Sequence, residues 1–184
     1  MVKGRYTMRL LALVGILVLI TASVAVGAKP LSSDSNKAVP LSGEEPYEAL
    51  KRGDFRVAAV LFSPLAEKGD ARAQYNLGLL YASGLGVVHD YQAALKWHRL
   101  AARQGHAGAQ NALAQMYAKG HGVPQDNVRA HMWYSVAVES SSSGSKQELM
   151  KDRDNLASRM TPPQIQKAQE LAKRCLESKF KKCD

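Results

Sequence analysis

Ala73-Gln74-Tyr75-Asn76-Leu77-Gly78-Leu79-Leu80-Tyr81 returns 36 residues later as Ala109-Gln110-Asn111-Ala112-Leu113-Ala114-Gln115-Met116-Tyr117. The register persists through Gly84/Gly120, Gly86/Gly122, Val87/Val123, Asp90/Asp126, Ala94/Ala130, Trp97/Trp133 and Ala101/Ala137. Chance does not hold one offset over so many positions, and a fixed period in this range means stacked supersecondary units. Read backwards, the offset sets Asp54 on Asp90, Phe55 on Tyr91, Ala58 on Ala94, Ala66 on Ala102 and Gly69 on Gly105. Upstream of Asp54 it fails, because Arg52-Gly53-Asp54 makes a shorter turn. The first unit therefore reads as truncated, as terminal units of an array often are.

Each unit reads as two helices. Ala73, Leu77 and Tyr81 recur on one helical face. Gly84 stops that helix, Gly86 shapes the loop, and Val87 packs into it. Asp90 is placed to cap the second helix by accepting from free backbone N–H groups. Ala94, Trp97 and Ala101 form the buried stripe of the second helix, and Gly105 ends it. Small residues such as Gly78, Ala94 and Ala101 let helices approach closely, while Tyr81 and Trp97 fill the remaining space.

The pattern Ala73-x3-Leu77-Gly78-x2-Tyr81-x2-Gly84-x-Gly86-Val87-x2-Asp90-x3-Ala94-x2-Trp97-x3-Ala101-Ala102-x2-Gly105 resembles the Sel-1-like repeat, a relative of the tetratricopeptide repeat with a longer inter-helix loop. The second copy departs from it in having Ala114 in place of the family's Gly and Ser141 opposite Gly105. The resemblance covers about Tyr47 to Ser140. It implies an all-α fold, an α-solenoid of stacked antiparallel helix pairs, and protein binding without naming the partner.

The expected organisation is a truncated unit at 44–72, repeats at 73–108 and 109–140, and a C-terminal helix pair at 141–184 that caps the solenoid. In that last segment Ser140 to Gly144 reads as a polar turn. Leu149, Leu156 and Met160 keep a helical rhythm. Thr161-Pro162-Pro163-Gln164 reads as a helix start, with Thr as cap, Pro in the first turn and Gln three residues on. Ile165, Ala168, Leu171, Ala172 and Cys175 then form one apolar face. The run from Met160 to Ala172 resembles the closing segment of bacterial members of the family, which implies a bacterial, periplasmic protein.

Cys175 and Cys183 are the only cysteines. On one straight helix they would stand about 12 Å apart at 1.5 Å per residue, whereas a disulfide needs Cα atoms within about 7 Å. A bridge thus requires the helix to end first, with Lys179-Phe180-Lys181-Lys182 as the turn. Free thiols and intermolecular pairing are the alternatives.

At the other end, Lys3, Arg5 and Arg9 precede the uncharged run Leu10 to Ala28, which closes on Val26-Gly27-Ala28 before Lys29-Pro30. Basic, apolar and small segments in that order make a secretory signal over 1–28. The alternative is an uncleaved N-terminal anchor, which would be the chain's contact with the membrane. Residues 29–43, rich in Ser, Pro and small residues, read as a flexible linker. The chain is expected in the periplasm or secreted, or held at the inner membrane if the signal is retained. Losing three basic residues lowers the formal charge of +9 to +6. That is a mildly basic surface and not a nucleic-acid footprint.

The residues that carry chemistry do not assemble. His89, His98, His106, His121 and His131 offer no His-x-x-x-His pair, and no Cys-x-x-Cys occurs, so neither a metal nor a cofactor is expected. His98, one residue past Trp97 and opposite Tyr134, reads as packing or surface. Ser143-Gly144-Ser145-Lys146 has a Ser-x-x-Lys spacing but stands in a flexible stretch without a partner motif. Gly84-Leu85-Gly86 and Gly120-His121-Gly122 lack the Lys-Ser/Thr of a phosphate loop and serve as helix punctuation. Asp90 and Asp126 recur with the repeat, and a recurring carboxylate argues for capping, because an active site is normally built once. The chain is therefore read as no enzyme.

What remains is a surface. First helices of stacked pairs line the concave side, where Arg72, Tyr75, Leu79 and Ser83 form a stripe matched by Gly108, Asn111, Gln115 and Lys119. This is a mixed groove with positive ends, suited to a peptide or acidic helix. The leading reading is a non-catalytic exported adaptor that binds another envelope protein through this groove. The alternatives are a periplasmic negative regulator of a membrane sensor, and a β-lactam or cell-wall hydrolase. The last resembles cysteine-rich family members with a Cys pair in each repeat, which this chain lacks.

Overall fold

The structure is a computed structural model that describes residues 45–183. The signal segment 1–28 and the linker 29–43 lie outside the described residues. Within them the chain is all-helical: α1 (Pro46–Arg52), α2 (Phe55–Glu67), α3 (Ala71–Ser83), α4 (Tyr91–Ala102), α5 (Ala107–Lys119), α6 (Asn127–Ser140), α7 (Ser143–Ala157) and α8 (Pro162–Glu177). Successive helices pack as neighbours from α1 through α7, and α8 returns to α6. The result is an α-solenoid. Among the described residues no helix is long and apolar enough to cross a membrane.

Local chemistry sets the helix ends. Asp70 starts α3 by accepting the N–H of Ala73 at 2.7 Å. Asp90 accepts from Gln92 and Ala93 at 2.8 and 3.1 Å, and Asp126 from Arg129 at 2.9 Å. At the start of α5, where the period sets His106 opposite Asp70, an imidazole does the carboxylate's work: Nδ1 accepts the N–H of Ala109 at 3.2 Å. At α8 the Gln164 side chain accepts the Thr161 N–H at 2.9 Å. Ser143 and Gly144, expected in a turn, instead form the first turn of α7, with Ser142 as the cap residue.

Two larger clusters make the core. One gathers Ala49, Ala58, Phe62, Ala66, Ala73, Leu77 and Leu80 around the first two helix pairs. The other joins Ala101, Leu113, Tyr117, Trp133, Val136, Leu156, Ala168 and Cys175 across the second half. Alanines at these positions keep the helices close, so each leucine or aromatic is gripped from several sides. Full burial of Leu77 or Leu113 contributes about 1.5–3 kcal/mol apiece.

Trp97 departs from expectation. It is half-buried at the edge of the first cluster, with Lys96 Nζ 5.1 Å from its ring centre, whereas Trp133 is 1% exposed. The difference is a matter of neighbours: α6 is packed by α5, α7 and α8, but α4 mainly by α3 and α5.

Each inter-helix loop closes on the preceding unit. A Cβ at Gly86 would stand 2.3 Å from the backbone of Phe55 and Arg56, and one at Gly122 would stand 2.9 Å from the Tyr91 carbonyl. Both glycines have positive φ. Glycine is therefore required here by a close approach between units as well as by the turn.

The chain ends on a covalent clasp. Helix α8 stops at Glu177, Lys179 and Phe180 take left-handed conformations, and the Phe180 N–H returns to the Cys175 carbonyl at 2.9 Å. That turn brings Cys183 to 4.5 Å from Cys175, Cα to Cα, and the two form a disulfide. It also presents the Phe180 ring to Gly105, where a Cβ would come within 2.9 Å of the ring.

Candidate protein-binding face

The stripe on α3 is not uniformly free. Arg72 is exposed, but its guanidinium lies 4.8 Å above the Tyr47 ring. Tyr75 is half-buried, stacked on His106 at 4.6 Å and tilted against His98 at 5.8 Å. Leu79 is 38% exposed and Ser83 is exposed. On α5, Lys119 is exposed, while Asn111 and Gln115 are half-buried. The two stripes meet where the Tyr75 ring comes within 3.0 Å of the place a Cβ would occupy at Gly108. A side chain there would push the ring off.

Beneath this face lie three histidines that cannot ionise freely. His98 is 1% exposed, its Nδ1 has no hydrogen-bond partner among the described residues, and burial, with His106 nearby, pushes its pKa down to about 4. Its ring occupies the space over Gly78, where a Cβ would stand 2.6 Å from it. His106 is lowered chiefly by burial. His131 is lowered by burial and then by Arg153. Burial raises the Tyr75 phenol in the same way. His98 in particular is a buried packing group that stays neutral near pH 7. Among the described residues no group of three His, Cys, Asp or Glu side chains could hold a metal ion. Ser143 and Lys146 lie on the first turn of α7 and share an open surface hollow with Glu148 and Asp154.

Helix α7 adds acidic groups to the face whose expected positive residues, Arg72 and Lys119, are both exposed. Helix α7 continues the row of first helices and sets Ser145, Glu148 and Asp152 opposite Gly108, Asn111 and Gln115 across a pocket of about 210 Å³. Ser141, before α7, closes one side. The row thus carries Arg72 on α3, Lys119 on α5, and Glu148 and Asp152 on α7. Reading α7 only as a cap hides this. The signal was the spacing of Ser145, Glu148 and Asp152, which falls on one helical face.

Gln74 and Gln110 are a further pair that period alone did not single out. Each is buried and donates from Nε2 to a carbonyl eight residues earlier, Gln74 to Ala66 at 3.0 Å and Gln110 to Ala102 at 3.2 Å. Those carbonyls belong to the last turns of α2 and α4, where they also accept the N–H of Gly69 at 3.1 Å and of Gly105 at 3.0 Å.

Residues 71–106 and 107–142 each match the Sel1 repeat. Among solved structures, a protective antigen of uropathogenic Escherichia coli strains displaying an SLR fold is similar at 28% identity and a TM-score of 0.66. That match covers 73% of this chain and 30% of the antigen. A Sel1 repeat protein from Oxalobacter formigenes is similar at 31% identity and a TM-score of 0.49, covering 53% of this chain and 32% of that one. The chain spans about a third of the length of either structure. No curated protein sequence matches it.

Proposed function

Because the chain belongs to the Sel1-like repeat family, whose repeats mediate protein–protein interactions, we propose that it is an exported, non-catalytic adaptor. Its partner is another envelope protein, gripped by the face of α3, α5 and α7. The observation that carries this reading is the contrast within the first helices. Their Ala73, Leu77, Ala109 and Leu113 are sealed in the core, while Leu79 stays 38% exposed in a stripe with Arg72, Tyr75 and Ser83. A partly exposed leucine in such a mixed stripe suits a peptide that supplies its own apolar contact.

Export rests on two features at opposite ends of the chain. The first is the basic, apolar and small order of residues 1–28. The second is the Cys175–Cys183 disulfide, a bond that persists in oxidising compartments and is rare in the cytosol. Cleavage after Ala28 would leave Lys29 as the first residue, and the mass of the protein recovered from its compartment checks this. An intact Met1 terminus would defeat it.

The binding reading is tested by capture from envelope extract with the wild-type chain and with Leu79→Asp. A partner held by wild type and lost by the folded variant supports the face. Equal capture by both would move binding elsewhere, with the basic tail from Arg174 to Lys182 as the next candidate.

A further inference from the structure

Helix α2 is apolar on both of its sides. Ala58, Ala59, Phe62 and Ala66 face the core. Val57, Val60, Leu61 and Pro64 fall on the opposite face, at spacings of three and four residues. Val60 is 50% exposed and Pro64 is exposed. Between Arg56 and Glu67 the one polar side chain is Ser63, and its hydroxyl donates to the Ala59 carbonyl at 2.8 Å. A helix that is apolar all round belongs in an interior. The repeat sharpens the point, because its offset sets Val60 on Lys96 and then on Met132. Met132 is 1% exposed on α6, which α7 and α8 pack against, whereas Lys96 is exposed on α4. The position is apolar where a neighbouring helix covers it and charged where water does. Val60 has the residue type of the covered case on an open helix.

We infer that this face of α2 joins a second copy of the chain, the two α2 helices packing antiparallel about a two-fold axis. The charges at the ends of the helix argue for this occupant. Arg56 stands at the start of α2 and Glu67 at its end, about three turns later and on the same flank of the apolar stripe. Both are exposed, and among the described residues neither makes an ion pair. An antiparallel two-fold sets the partner's Glu67 beside Arg56 and the partner's Arg56 beside Glu67. On the other flank it sets the partner's Lys68 beside Asp54, which already holds Arg52 at 3.0 Å. The helix end is thus complementary to its own copy in charge as well as in apolar character, and such a contact closes at two chains. It uses a second helix of the array and leaves the first helices α3, α5 and α7 uncovered. The pairing stands or falls independently of the adaptor reading, and a dimer would carry two copies of the proposed binding face.

Sedimentation equilibrium of the purified chain over a range of concentrations tests this, with circular dichroism as the check on folding. Wild type should approach twice the mass of one copy. Val60→Lys supplies the side chain that the next unit carries at this position, and should leave a folded monomer. Arg56→Glu alone and Glu67→Arg alone each bring like charges together twice across the axis, and each should weaken association about tenfold. Combined in one chain, the two exchanges restore both pairs with reversed sign, and association should return. A wild type that stays monomeric at every concentration would overturn the inference. In that case a melting temperature lowered by Val60→Lys assigns the face to residues before 45, and an unchanged one assigns it to another protein. Dimerisation unaffected by Val60→Lys, no loss in the single exchanges, or no recovery in the double exchange would overturn it as well. The exchange series acts on exposed side chains, so it decides the question even if Val60→Lys folds poorly.

Discussion

Gln110 Nε2 donates to the carbonyl of Ala102 at 3.2 Å, and both residues are fully buried. The bond ties the end of α4 to the start of α5, and Gln74 makes the same tie between α2 and α3. Each carbonyl is served twice, by the N–H of the glycine that closes its helix and by a side chain from the next unit. The repeat is therefore held in register by a polar bond inside its core, in addition to the apolar stripes.

Gln110→Leu should destabilise the chain by about 0.5–1.5 kcal/mol, the net worth of one buried hydrogen bond, because the Ala102 carbonyl keeps the Gly105 N–H at 3.0 Å. Urea unfolding measures it. A variant as stable as wild type would mean that the Gly105 N–H alone satisfies the carbonyl.

The two tryptophans should separate. Trp133→Ala empties a fully enclosed site and should cost about 3–5 kcal/mol. Trp97 already faces a hollow lined by Leu100, Gln104 and Lys96, so Trp97→Ala should cost clearly less. Equal losses in paired unfolding curves would contradict the difference in packing between α4 and α6.

The legibility of this chain follows the range of the forces involved. Period, helix ends and the apolar stripes are written in short spacings, so Ala73, Leu77, Asp90 and Gly84 could be placed from sequence alone. Burial of a given stripe depends on which helix comes next in space, and that is why Trp97 read like Trp133. The pocket wall depends on α7 standing beside α5, a relation no spacing within either helix contains. His106 as a cap was hidden because the residue type usually found there is a carboxylate or hydroxyl.

The clasp at the C-terminus makes a third expectation. Replacing Cys175 and Cys183 by Ser opens a loop with a sequence separation of 8, and chain entropy alone gives a loss of about 2.5 kcal/mol. The Phe180 ring should also leave Gly105, raising hydrogen exchange at the end of α4. Unchanged exchange around Gly105 would show that the turn holds itself without the bond.

Gly78 and His98 should be coupled. Gly78→Ala drives a methyl into the imidazole, whose backbone lies on the neighbouring helix, so the helices must separate. Combined with His98→Ala, which vacates that space, the same glycine substitution should cost much less. A double-mutant cycle reads the coupling, and close packing typically gives about 0.5–3 kcal/mol. Additive losses would mean that the ring swings aside freely.

Acid should weaken the fold through His98. In the unfolded chain its imidazole binds a proton near pH 6.5, but in the folded chain only near pH 4. Between those values the unfolded state holds more protons than the folded one, so stability falls as pH falls. The contribution is complete above about pH 6.5 and lost by about pH 4, and a shift of that size corresponds to roughly 3 kcal/mol. His106 and His131 are shifted the same way and steepen the slope. For His106 the proton would also take the Nδ1 lone pair that caps α5. Urea unfolding of wild type and His98→Gln at a series of pH values between 7.5 and 4 isolates the share of His98 as the difference in slope. Whatever stability the variant starts from, its curve should be flatter across that window. Parallel curves would mean that the buried imidazole reaches solvent when it protonates, and the face formed by Tyr75 and His106 would then be looser than its stacking distance implies.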